Sequence, residues 1–237
     1  MRRPSEGGSS FVIGPYGPLA SLNSLSLYIH IPFCVSRCRY CDFYSEIGQG
    51  GEMMRTYLDA LLSSLDAGLE RYQPRSISTI FIGGGTPSLL PRKSLSKFLQ
   101  ELERRTGPAA EFTIEANPES LDDAFLDVLS DSTVGRISMG VQTYDEGLLK
   151  WLGRPSGSEA LDRADELLIG RWKGRINRDL LAALPRNPGG LDRDISQAVE
   201  RGSDHISLYE LTVEHGTPLA GDEKSLKELP DESVSLE

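Results

Sequence analysis

All three cysteines of the chain lie within eight consecutive positions, at Cys34, Cys38 and Cys41. An odd number of thiols leaves one without a disulfide partner, and thiols this close suit a metal better than a bridge between distant segments. Structural zinc usually takes four ligands in two separated pairs; this sequence has no second pair, although His30 could complete a Cys3His set. The C-x3-C-x2-C spacing favours three corners of a cubic [4Fe–4S] cluster, which leaves one iron open to a small-molecule ligand.

A glycine run follows in IFIGGGTPSLL, residues 80–90. Gly83, Gly84 and Gly85 would let the backbone approach a ligand without interference from a Cβ atom. The run also fits a plain joint between a strand and a helix, with Thr86 as N-cap and Pro87 at the first helical position. Beside the cysteine triplet, we interpret it as a loop that holds a cofactor.

Several polar residues could bind the same ligand. Glu115 could bind ribose hydroxyls or an ammonium group, Gln142 could hydrogen-bond a ligand edge, and Arg154 could bind a carboxylate through its planar guanidinium. Gln142 and Arg154 could equally be solvated surface residues, and Glu115 taken alone favours a solvated strand end. Arg37 and Arg39 flank the thiols, where positive charge would favour thiolates, although a solvated pair of arginines is the alternative.

The chain alternates between short β-rich runs and longer helix-like segments from residue 24 onward. Strands are predicted at 25–31, 77–83, 111–116, 135–141, 174–181 and 204–211, and helices at 52–72, 93–105, 121–130, 158–170 and 190–202. Ser120 is the predicted N-cap of the third helix. Repeated βα units indicate an α/β fold with a parallel sheet, and six strands are too few for a closed eight-stranded barrel. We expect an open (β/α)6 partial barrel, with a doubly wound sheet as the alternative.

Ligands of parallel α/β folds bind at the carboxyl ends of the strands. The cysteines follow the first predicted strand and the glycine run follows the second. Glu115 closes the third, Gln142 follows the fourth, and Asp179 lies in the fifth. We therefore expect these residues to converge on one rim of the barrel.

Composition excludes some classes of partner. The formal net charge is −10 and the pI about 4.9, which argues against general affinity for nucleic acid or anionic lipid. No apolar stretch approaches the roughly 18 residues of a membrane span, so stable membrane insertion is not expected. Residues 1–23 are rich in Gly, Ser and Pro and are predicted to form a flexible tail without a signal-peptide core. Reduced thiols then favour the cytoplasm.

Six motifs occur in order: YIHIPFCVSRCRYC, GGGTPS, EANP, GVQTYD, LGR and HISLYELTVEHGTPLA. Together they resemble the coproporphyrinogen-oxidase-like group of radical SAM proteins, the HemN/HemW group, over roughly residues 25–221. The resemblance implies a radical SAM core at 24–221, with a [4Fe–4S] cluster whose open iron is chelated by S-adenosylmethionine. In that superfamily an electron from the cluster breaks the sulfonium C–S bond, and the resulting 5′-deoxyadenosyl radical abstracts a hydrogen atom.

The resemblance also implies the contacts of these cofactors. The cluster ligands are the three cysteines, and an aromatic position beside the cofactor corresponds to Tyr40. The expected contacts of S-adenosylmethionine are Tyr28, Gly84, Gly85, Thr86, Glu115, Gln142, Arg154 and Asp179.

Two functions compete within the group, both on an oxidoreductase scaffold. Oxygen-independent coproporphyrinogen III oxidases carry a further cysteine two positions after the third, where this sequence has Phe43. Phe43 indicates the HemW type, regarded as haem chaperones, and makes oxidase activity unexpected. Haem or porphyrin, an electron donor and a haem acceptor protein are the partners implied.

Three departures from the family raise a third hypothesis, a truncated and inactive copy. Family members continue beyond this sequence, with an HN-x-x-Y-W motif in the HemW type, so residues 222–237 are expected to be a truncated C-terminal segment. Ala183 and Arg186 replace two glycines of the loop after the fifth strand. Arg178 replaces an apolar residue on a predicted buried face, which is costly unless the charge finds a partner or reaches water.

Overall fold

The computed structural model of the protein describes residues 23–185 and 189–230. Residues 1–22 of the predicted tail, residues 231–237 and Arg186 lie outside this part. No helix in the two described ranges is long and apolar enough to cross a membrane.

The elements alternate along the chain much as the sequence predicts. The strands are β1 Leu25–Ile31, β2 Phe33–Cys34, β3 Glu46–Ile47, β4 Ile77–Gly84, β5 Glu111–Ala116, β6 Arg136–Gln142, β7 Arg175–Ala182 and β8 His205–Glu210. The helices are α1 Gly51–Tyr72, α2 Arg92–Thr106, α3 Asp123–Ser130, α4 Glu146–Trp151, α5 Ser158–Arg171, α6 Gly190–Glu200 and α7 Glu223–Leu226. Two 3-10 turns cover Pro87–Leu89 and Pro118–Ser120.

Six strands form one parallel sheet in the order β1-β4-β5-β6-β7-β8. The order follows the chain without reversal, whereas a doubly wound sheet reverses direction at its switch point. Because parallel crossovers have one hand, successive helices cover the same face of such a sheet. The predicted open (β/α)6 partial barrel is confirmed.

The two faces of the sheet differ in polarity because successive side chains of a strand point in opposite directions. One face carries buried apolar residues such as Ile82, Ile114 and Met139, which belong to the main core together with residues of the helices. On α2 the buried residues recur at helical spacing, at Leu95, Phe98, Leu99 and Leu102. The opposite, polar face lines the candidate site.

The predicted N-cap of α3 is wrong. The Asp122 carboxylate accepts a hydrogen bond from the backbone N–H of Phe125 at 2.7 Å and caps the helix. Ser120 instead ends a 3-10 turn, and its hydroxyl shares a hydrogen bond with that of Ser88 at 2.6 Å. A three-residue turn ahead of the helix therefore moves its start two residues towards the carboxyl terminus.

The charge of Arg178 is fully buried and has partners. Its guanidinium forms an ion pair with Asp165 of α5 and donates to the hydroxyl of Ser203 at 2.7 Å and to the carbonyl oxygen of Arg201 at 2.8 Å. The Asp165 carboxylate also accepts from the guanidinium of Arg201, at 2.8 Å. The departure at Arg178 is thus compensated by residues elsewhere in the chain.

Candidate functional site

A cavity of about 550 Å³ opens at the carboxyl ends of the strands. The loop after β2 forms one wall, and the polar face of the sheet forms the other. Of the twelve predicted site residues, all except Tyr28 line it: Cys34, Cys38, Tyr40, Cys41, Gly84, Gly85, Thr86, Glu115, Gln142, Arg154 and Asp179.

The three thiols belong to a loop that starts and ends on a small sheet. β2 and β3 pair in parallel, with Phe33 opposite Glu46 and Cys34 opposite Ile47. The thiols form no disulfide; Cys38 is buried, and Cys34 and Cys41 are partly exposed. The chain therefore brings three free sulfur donors to one cavity wall.

Burial raises the pKa of the Cys34 and Cys41 thiols, an effect that neighbouring cysteines strengthen and Arg154 opposes. In the described part of the chain, no group of three or more His, Cys, Asp or Glu side chains surrounds a point suited to a single metal ion. A cubic cluster makes a different demand, because each thiolate binds a separate iron at its own corner. Three cysteine donors on one wall of a roomy cavity fit that demand.

The glycine run is a close-packed cradle. A Cβ on Gly84, which has φ +110°, would lie 2.3 Å from Nδ1 of His30, and a Cβ on Gly85 would lie 2.7 Å from the carbonyl oxygen of Ile31. A Cβ on Gly83 would overlap the carboxylate of Glu115. Only glycines allow the backbone to pass here, and the N–H of Gly84 donates to Oε2 of Glu115 at 2.9 Å.

One chain of hydrogen bonds joins two of the cysteines. Arg154 donates to Sγ of Cys38 at 3.6 Å through Nη1 and to Oδ1 of Asn117 at 3.0 Å through Nη2. The Nδ2 of Asn117 donates to Oγ1 of Thr86 at 3.0 Å, and Thr86 donates to Sγ of Cys34 at 3.7 Å. Asn117 was not among the predicted site residues; its place in the EANP motif, directly after a strand, was the available signal.

Two carboxylates lie on the polar face of the sheet. Burial is the main cause that raises the pKa of Glu115, to about 7, with a further contribution from the charge of Asp179. Burial also raises the pKa of Asp179, although its carboxylate accepts hydrogen bonds from Ser138 at 2.9 Å and Asn177 at 2.8 Å. A ligand that brings hydrogen-bond donors to such carboxylates stabilises their charged form.

The remaining predicted residues differ in position. Gln142 has φ +70°, a left-handed conformation that non-glycine residues rarely adopt and that is enriched at functional sites. Tyr40 packs against a small apolar cluster that includes Leu152, Leu181 and Leu219. Tyr28 does not line the cavity; its side chain is 58% exposed, and its hydroxyl hydrogen-bonds Nδ1 of His30 at 3.0 Å.

Comparison with known proteins assigns the chain to a family. Residues 28–172 match the model of the radical SAM superfamily. The chain is 42% identical over 205 residues to the haem chaperone HemW of Escherichia coli strain K12, covering 84% of this chain and 53% of the relative. It is 39% identical over 201 residues to the haem chaperone HemW of Buchnera aphidicola subsp. Schizaphis graminum, covering 83% of this chain and 53% of the relative. The chain therefore spans about half the length of the curated relatives it matches.

A solved structure shares the same architecture. The coproporphyrinogen III oxidase HemN from Escherichia coli, a radical SAM enzyme, superposes with a TM-score of 0.79 at 25% identity, covering 92% of this chain and 51% of that chain. Almost all of the present chain thus corresponds to about half of that enzyme.

Proposed function

The chain belongs to the radical SAM superfamily, and we propose that Cys34, Cys38 and Cys41 hold its [4Fe–4S] cluster. The observation that supports this assignment best is that three free thiols and the glycine cradle line one cavity. When bound, the cluster supplies the electron for reductive cleavage of S-adenosylmethionine.

The residues around the cavity would orient S-adenosylmethionine. The guanidinium of Arg154 suits a carboxylate, and the backbone at Gly84, Gly85 and Thr86 suits a close approach of the ligand. Glu115 and Asp179 suit hydroxyl or ammonium donors, and Gln142 suits a polar ligand edge. Tyr40 would contribute an aromatic wall, and Tyr28 would need to turn from its exposed position to reach the ligand.

We further propose that the chain performs the cluster-binding part of a HemW-type haem transfer function. The similarity to haem chaperones supports this, as does Phe43, which lines the cavity, is 62% exposed and stands at the position of the oxidases' additional cysteine. The partners of the whole function would be haem or porphyrin, an electron donor and a haem acceptor protein. The reduced thiols fit a cytoplasmic location.

Anaerobic reconstitution tests the cluster. The chain is expected to take up about four irons and four sulfides, the content of one [4Fe–4S] cluster. A Cys38→Ser variant, which lacks one of the three donors, should lose most of this iron and its visible absorbance. An unchanged cluster in the variant, or tightly bound zinc in place of iron, would contradict the assignment.

Coproporphyrinogen III oxidase activity is the second candidate, favoured by the structural similarity to HemN. Phe43 makes us expect no turnover of the porphyrinogen with reductant and S-adenosylmethionine. Clear formation of the decarboxylated product, by a preparation of the chain whose iron content has been verified, would replace the haem-transfer hypothesis with that of oxidase activity.

A further inference from the structure

The loop that carries the cysteines is tied to two distant segments of the chain through one residue, Arg39. Its backbone N–H donates to the carbonyl oxygen of Leu152 at 2.9 Å, and its own carbonyl oxygen accepts from the N–H of Leu219 at 2.8 Å. Leu152 follows α4, and Leu219 lies in the segment before α7. Arg39 is therefore bridged on both sides of its backbone, directly beside Cys38.

The side chain of Arg39 repeats the same connection. Nη1 donates to the carbonyl oxygen of Trp151 at 2.9 Å, and the guanidinium carbon lies 5.5 Å from the centre of the Trp151 ring. Nη2 donates to Oδ2 of Asp222 at 2.6 Å and to the hydroxyl of Ser225 at 3.0 Å. One guanidinium thus joins the end of α4 to the start of α7 and holds both against the cysteine loop.

The packing leaves a specific space for this side chain. Gly153 has φ +71°, and a Cβ there would lie 2.9 Å from Cγ of Arg39. The Asp222 carboxylate is itself fixed, because it caps α7 by accepting from the N–H groups of Lys224 and Ser225. The Arg39 side chain is 26% exposed, so its ion pair is partly shielded from water. Arg37, two residues earlier, is exposed and borders the cavity.

We propose that Arg39 is a positioning residue. Its hydrogen bonds to the end of α4 and to the segment at the start of α7, here called the clasp, fix the directions in which the Sγ atoms of Cys38 and Cys41 point towards a cluster. This inference rests on the proposed cluster assignment. The two cysteines are one residue before and two residues after Arg39, so backbone motion at residue 39 moves both. A planar fork that donates to three acceptors and lies over the ring of Trp151 cannot be replaced by a point charge.

The rate of iron loss to a ferrous chelator under anaerobic conditions tests the clasp in the reconstituted chain. Arg39→Gln should release iron about tenfold faster, because loss of one hydrogen bond to a charged group changes such a rate by about a factor of ten. Arg39→Lys should release iron nearly as fast as Arg39→Gln, since it keeps the charge but loses the fork. The electron paramagnetic resonance spectrum of the reduced cluster should also change shape in both variants, which a loss of global stability alone would not cause.

Arg37→Gln is the matched control, because it removes the same charge from the same loop without touching the clasp. It should release iron within about twofold of the wild-type rate. Equal acceleration by Arg37→Gln, or full rescue by Arg39→Lys, would show that positive charge near the thiolates matters rather than the clasp, and would overturn the proposal.

Asp222→Asn keeps the test decisive if the Arg39 variants do not fold, because it weakens the clasp from outside the loop. It should accelerate iron release about threefold, and an unchanged rate would overturn the clasp alone. A wild-type chain that binds no four-iron cluster would overturn the clasp together with the proposed function.

Discussion

Ala183 holds a left-handed backbone conformation, with φ +57°. An L-residue with a Cβ pays roughly 1–2 kcal/mol in this region relative to glycine. We expect Ala183→Gly to raise the free energy of unfolding by about 0.5–1 kcal/mol, after allowance for the greater freedom of glycine in the unfolded chain. Urea denaturation followed by fluorescence of the two tryptophans would measure the change.

Ala182→Gly is the control for this prediction. Ala182 is the last residue of β7 and has ordinary strand geometry, so glycine there should lower the free energy of unfolding by about 0.5–1 kcal/mol. If both glycines changed stability in the same direction, the strain assigned to Ala183 would not exist.

The raised pKa of Glu115, about 7, gives a pH dependence of opposite sign to that of most surface carboxylates. Folding favours the protonated form, so its stabilisation is present below the ordinary pKa of 4.5 and is lost as the pH rises through about 7. The free energy of unfolding of Glu115→Gln, taken relative to wild type in the ligand-free protein, should therefore rise between pH 5 and pH 8 by roughly 3 kcal/mol at most. Urea denaturation of both proteins at the two pH values would measure this.

Glu101→Gln serves as the comparison for Glu115. Hydrogen bonds from Arg105 and Arg104 lower the pKa of this partly exposed carboxylate, so its contribution to stability is lost as the pH falls. The free energy of unfolding of Glu101→Gln relative to wild type should therefore not rise between pH 5 and pH 8. A Glu115→Gln variant whose effect does not grow with pH would contradict the raised pKa.

At the scale of elements, the buried ion pair between Arg178 of β7 and Asp165 of α5 raises the question of which partner depends on the other. Asp165→Asn would leave the fully buried guanidinium without its carboxylate and should cost about 3–5 kcal/mol. Arg178→Met should cost less, under about 2 kcal/mol, because Asp165 keeps its ion pair with Arg201. Chemical denaturation of the two variants gives the order. A larger loss for Arg178→Met would mean that Asp165 depends on Arg178 and that Arg201 does not compensate.

The strands and long helices could be predicted from the sequence because local pattern and burial agree there. All six main strands lie within one residue of their predicted limits, and the five long helices lie within two. Buried parallel strands are continuous runs of β-branched and aromatic residues, and the helices covering them keep an apolar stripe. The six residues of α4 are too few to show a helical period, and the two-residue β2 and β3 show none.

The finer details of the site could not be predicted because they depend on contacts between distant segments. Asn117 links Thr86 to Arg154 across 31 and 37 positions of sequence. Arg39 meets its partners 112 and 183 positions away, so neither a helical nor a strand period indicates them. Residue types at strand ends predicted which side chains share a rim, and only the folded chain shows which of them touch.

At the scale of the whole molecule, the cavity on the polar face of the sheet bears on haem binding. A haem site needs an axial ligand, commonly histidine, and an apolar pocket around the macrocycle. Within the described ranges, His30 hydrogen-bonds the carbonyl oxygen of Tyr44 at 3.0 Å, and His205 hydrogen-bonds Asn177 at 2.5 Å. The third histidine, His215, is exposed and follows Glu214, which lines the cavity. The cavity is otherwise bordered by several carboxylates, in a chain of net charge −10.

We therefore expect this 237-residue chain to bind haem weakly on its own while it retains the cluster. The exposed His215 can offer an axial nitrogen, but the acidic side chains around the cavity disfavour the propionates of haem. Titration with haem followed by absorbance, on chain of known iron content, should give incomplete binding that His215→Ala weakens further and His205→Ala changes less. Tight, stoichiometric binding that is lost in His215→Ala would show that these residues carry a complete haem site, and the expectation of weak binding would be wrong.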